Sequence, residues 1–178
     1  VIVLCLLAII IPLLISKNRI SAGTTSYFIY FSAIGLGYMF IEIGLIQRLN
    51  IFLGHPIYSM TVVLFSLLVA TGIGSFFSSN LWNRRNSLLV SLCFVLTLNG
   101  LVQPYILEHF ASASTALRIL VAILLLFPMG TLMGMGFPIG MQWVSRSKLD
   151  IGPWLFGING SMSIVGSVAA MGLSLFFN

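Results

Sequence analysis

Residues 117–144 read LRILVAILLLFPMGTLMGMGFPIGMQWV, 28 positions with a single charge, Arg118. As a straight α-helix this stretch is about 42 Å long at ~1.5 Å per residue, more than the roughly 30 Å hydrocarbon core of a bilayer. So long a segment with one charge is at odds with a water-facing surface, so the natural solvent for it is lipid. Pro128 and Pro138 each remove a backbone hydrogen bond and press on the preceding turn. Carbonyls freed in this way must find donors on neighbouring helices. The stretch therefore predicts a transmembrane helix that is kinked or broken around Gly130 to Gly140.

The rest of the chain has the same character. Its 178 residues are 59% hydrophobic and 6% charged, with a mean hydropathy of +1.13; soluble domains carry roughly 25% charged residues. Six apolar spans can be drawn. The first is Val1 to Ser16, too short to cross a bilayer alone and read as the tail of a truncated span. The others are Tyr27 to Ile46, Ile57 to Phe77, Ser87 to Ile106, Leu117 to Val144, and Trp154 to Phe177. The expected fold is all-α, a single polytopic transmembrane bundle, and the chain reads as a fragment of a longer protein.

Charge orients the bundle. The first, third and fifth loops hold Lys17, Arg19, Arg84, Arg85, Arg146 and Lys148, whereas Arg48 and Arg118 lie at the opposite ends. Six against two places the odd loops in the cytoplasm. Trp82, Trp143 and Trp154 then fall at inner helix ends, and Tyr58 and Tyr105 at outer ends. The net charge of +5 is thus topological. No basic run exceeds Arg84-Arg85, so a nucleic-acid surface is excluded, and the expected partner is the lipid bilayer.

Small residues recur at helical spacing. Gly130 and Gly134 are four apart, as are Gly136 and Gly140, and Asn159, Ser163, Gly166 and Ala170 follow one face of the last span. Such ladders let membrane helices approach closely. They suit packing within the chain, a sliding interface in a transporter, or a homodimer face. Gly54-His55-Pro56 should end one helix and start the next, and Ser112 or Ser114 should cap the fifth span.

Polar side chains within the spans are few. Glu42 is the one acidic residue in a span, on a helix face shared with Ser32, Gly35 and Met39. It reads either as a hydrogen-bonded carboxyl near the outer interface or as a protonatable coupling site. With His55, Asn99 and Gln103 it forms a candidate outward-facing polar pocket. Gln142 and Asn159 flank the fifth loop as structural glue. Cys5 and Cys93 lie in apolar runs and read as small buried hydrophobes. No HExxH, GxSxG or Cys/His pair is present, and His55 with Glu42 is the sole acid–base couple that can be drawn. Gly134-Met135-Gly136 is not a nucleotide loop, because its spacing does not match G-x-G-x-x-G. No catalytic site, metal or cofactor is expected in this segment.

Several runs together carry a resemblance. They are Gly35-Leu36-Gly37-Tyr38-Met39-Phe40-Ile41-Glu42-Ile43 with Gln47-Arg48, Leu53-Gly54-His55-Pro56, Leu64-Phe65-Ser66-Leu67-Leu68, and Gly72-Ile73-Gly74-Ser75. Gly136-Phe137-Pro138-Ile139-Gly140 and Trp154-Leu155-Phe156-Gly157-Ile158-Asn159-Gly160 follow. The set, over roughly residues 26 to 172, resembles the membrane portion of bacterial proteins that join multi-spanning helices to a spermidine synthase-like domain. The resemblance implies a transporter-type bundle, distantly like half of a major facilitator protein, in the bacterial inner membrane. It also implies a fused or associated Rossmann-like soluble partner that uses decarboxylated S-adenosylmethionine and a polyamine. Neither the cofactor loop nor the acidic catalytic residues of that partner has a counterpart here, so no catalytic role carries over. The bundle would serve as a membrane anchor or a small-solute transport unit. A stand-alone secondary transporter is the alternative, and an intramembrane enzyme a remoter one.

Overall fold

A computed structural model describes residues 24–78, 85–147 and 151–177. The expected span over 1–16 lies outside them, as do Cys5, Lys17, Arg19, Trp82, Arg84 and Lys148. The described residues form five α-helices and no strand: α1 (Thr24–Leu53), α2 (Pro56–Phe77), α3 (Arg85–His109), α4 (Thr115–Arg146) and α5 (Gly152–Phe177). All five are long and apolar enough to cross a membrane.

Turn chemistry sets the borders. α1 runs seven residues beyond the apolar span that ends at Ile46, because Gln47, Arg48 and Asn50 are polar but not helix breakers. It stops at Gly54, whose φ of +74° is left-handed and whose N–H donates to the Asn50 carbonyl at 3.1 Å. Glycine is the residue that takes this conformation without penalty. His55 is extended, as a residue before proline must be, and Pro56 opens α2. The Ser114 carbonyl accepts the first bond of α4, from the Arg118 N–H at 3.0 Å.

α4 is an unbroken helix of 32 residues through both prolines; of the kink or break expected around Gly130 to Gly140, the break does not occur. Each proline deletes only one N–H, so the bonds on either side still hold the helix. Asn99 Nδ2 on α3 donates to the Leu125 carbonyl at 2.9 Å, in the turn before Pro128, and Thr131 Oγ1 donates to the Phe127 carbonyl at 2.8 Å.

The helices divide into two compact units. Residues 24–43 and 140–177 form one, and 44–139 the other. In the first, α5 packs on the opening half of α1. Phe31 and Leu155 are fully buried there. Asn159 Nδ2 donates to the Phe31 carbonyl at 3.0 Å, and Ser163 Oγ donates to the Gly35 carbonyl at 3.3 Å. A Cβ on Gly35 would overlap the Asn159 carbonyl, and one on Gly166 would lie 3.0 Å from the Leu36 carbonyl oxygen. Gly140 leaves room for the Tyr30 ring, whose Cε1 would be 2.5 Å from an added Cβ. Trp143 stacks on Tyr27, with ring centres 4.4 Å apart.

In the second unit α2 and α4 meet reciprocally. Gly74 of α2 abuts the Thr131 backbone of α4, and Gly134 of α4 abuts the Thr71 backbone of α2. Between them a Cβ on Gly130 would lie 2.8 Å from Ala70 Cβ. Ser59 Oγ ties α2 to α1 through the Ile46 carbonyl at 2.8 Å. α3 is the helix least covered by the others, and Cys93, expected to be buried, faces outward from it.

Candidate functional site

α1 is about 45 Å long at ~1.5 Å per residue, roughly 15 Å more than a hydrocarbon core. Its last turns, Gln47 to Asn50, are polar and suit the headgroup layer. The second unit carries a cavity at this end, near the loops at 54–55 and 110–114. Its volume is about 480 Å³. Arg48, Gln103, Glu108 and Arg118 form its polar lining, and Ile51, Phe52, Pro104, Leu107 and Ala111 its apolar lining.

Each polar group comes from a different helix, except that Gln103 and Glu108 share α3. Gln103 is 2% exposed. Its Oε1 accepts a long hydrogen bond from Arg48 Nη1 at 3.4 Å, while its Nε2 has no acceptor among the described residues. Arg118 donates from Nε to the Ala113 carbonyl at 2.9 Å and from Nη1 to the Phe52 carbonyl at 3.1 Å. Phe52 is in the last turn of α1, where carbonyls lack helical partners and the helix dipole is negative. Arg118 thus caps α1 and still presents Nη2 for a further bond. Glu108 is exposed.

The sequence-derived candidates are distributed as follows. Gln103 lines the cavity. Asn99, one turn earlier on α3, is instead committed to the Leu125 carbonyl. His55 is exposed at the start of α2, edge-on to Tyr58 with ring centres 5.9 Å apart. Glu42 is half-buried in the other unit, on the α1 face whose Gly35 and Met39 pack against α5. Arg48 and Arg118 figured in the sequence as the two charges on the minority side, and Arg48 also in one of the runs that carry the resemblance. The structure places both inside helices. Among the described residues no group of three or more His, Cys, Asp or Glu is placed to hold a metal ion.

Compared with family models, curated proteins and solved structures, the chain finds no match. The fold itself defines a class: an all-helical chain whose five described helices are each long and apolar enough to span a membrane.

Proposed function

We propose that the chain is the membrane-embedded module of a larger protein and holds a spermidine synthase-like soluble part at the bacterial inner membrane. The observation that supports this reading is the fixed packing inside each unit. Glycines meet partner backbones at α1–α5 and α2–α4, and side-chain donors cross between helices at Asn159, Ser163, Ser59 and Asn99. Contacts of this kind favour a static platform, since close backbone approach and interhelical bonds are what stabilise helices in lipid. The runs from Gly35 to Ser75 supply the likeness to the fusion proteins. In the full-length protein, deleting residues 1–178 should move the remainder from the membrane to the soluble fraction. If the remainder stays with the membrane, this is not the anchor.

Small-solute transport is a second reading, favoured by the cavity beneath Arg48 and Arg118 and by the half-buried Glu42. It expects Glu42→Gln to abolish spermidine uptake by proteoliposomes of the intact protein while leaving its yield unchanged. Equal uptake by the variant would remove Glu42 from any such mechanism.

A further inference from the structure

We infer that the cavity between the ends of α1, α3 and α4 is a binding site for a singly charged phosphodiester, as carried by a phospholipid headgroup. The inference is independent of the anchoring role proposed above.

The first argument is the donor balance. Gln103 Nε2 is buried and unpartnered, and the side chain lines the cavity. Buried amide nitrogens almost always have an acceptor, so one without it marks a place where an acceptor binds. Arg48 spends one recorded bond on Gln103, and Arg118 keeps Nη2 free after capping α1. Three donor groups thus converge on one space, and guanidinium groups match oxyanions in shape as well as charge.

The second argument is charge. Arg48 and Arg118 against Glu108 leave the lining with a net charge of +1. That complements a phosphodiester, whereas a phosphomonoester brings nearly two negative charges. Location is the third. Arg48, Gln103 and Arg118 all lie within about two turns of helix ends, at the depth of lipid phosphates. The apolar lining continues to Ile51, which is 86% exposed and offers a path for an acyl chain. Finally, these two arginines are on the side with fewer positive charges, where topology gives no reason for them.

The test uses the full-length protein purified in detergent. Native mass spectrometry is run with dioleoyl phosphatidylglycerol, and with dioleoylglycerol, which lacks the phosphate. Calorimetry is run with glycerophosphoglycerol, the headgroup without chains. We expect one phosphatidylglycerol retained per chain, with retention about tenfold weaker or worse in Arg48→Gln and in Gln103→Met. Dioleoylglycerol should not be retained. Gln103→Glu keeps an acceptor for Arg48 but places a carboxylate in the cavity, and should also abolish retention. Variant-sensitive binding of glycerophosphoglycerol would support the oxyanion site and assign it to a free ligand as well. Phosphatidylglycerol retention that is equal in all three variants, or matched by dioleoylglycerol, overturns the proposal.

Discussion

A buried amide nitrogen without an acceptor costs about 1–3 kcal/mol, and Gln103 Nε2 is such a nitrogen. Gln103→Met keeps the volume and removes the unsatisfied donor, while Arg48, being exposed, can turn to water. The ligand-free variant should therefore unfold at a higher temperature than the native protein, a gain of about 1 kcal/mol in detergent. A lower melting temperature would mean that the Arg48 bond outweighs the orphan nitrogen. Asn159 presents the opposite case, because its Nδ2 is satisfied by the Phe31 carbonyl. Asn159→Ala should cost about 0.5–2 kcal/mol, the range for interhelical bonds in membranes, by unfolding in mixed micelles. Sequence reading singled out both residues, since a lone amide in an apolar run is conspicuous. It did not join Gln103 to Arg48 and Arg118, 55 positions upstream and 15 downstream, because that grouping depends on which helix ends are neighbours. Nothing in linear spacing encodes it.

At the scale of the element, helix borders were the most legible feature. Gly54-His55-Pro56 marks a stop and a start by backbone stereochemistry alone, and the helices begin and end there. Gly54→Ala should destabilise the protein by about 1–2 kcal/mol, the cost of a left-handed residue bearing a Cβ, measurable by thermal unfolding in detergent. No steric clash adds to it, since no atom lies within 4 Å of the added carbon. Gly134→Leu should behave differently. Its Cβ would overlap the Thr71 backbone, which cannot move without displacing α2. The loss should exceed about 4 kcal/mol and appear as aggregation on size-exclusion chromatography. Proline was a poorer guide than glycine. Pro128 and Pro138 suggested a kink or a break in α4, yet the helix runs on unbroken, because one missing N–H is a local defect. In α1 the two signals differ: hydropathy falls at Gln47, but helical backbone persists to Leu53, where Gly54 stops it.

For the molecule as a whole, composition carried most of the information. A chain with 6% charged residues and mean hydropathy +1.13 is committed to lipid before any helix is placed. Sodium carbonate should leave it in the membrane pellet, and it should aggregate on removal of detergent; release by carbonate would refute membrane integration. What composition did not reveal was which glycines are paired. Gly134 belonged to an evident ladder, but its counterpart Gly74 and the threonines they meet did not. Their mutual arrangement has a mechanical result. If α2 slid past α4 by one turn in either direction, Ala70 or Ser78 would arrive where Gly74 meets the Thr131 backbone. Either register drives side-chain atoms into a main chain. The two helices are keyed against axial travel, like a bolt with two notches, so any motion that includes this pair must carry both together.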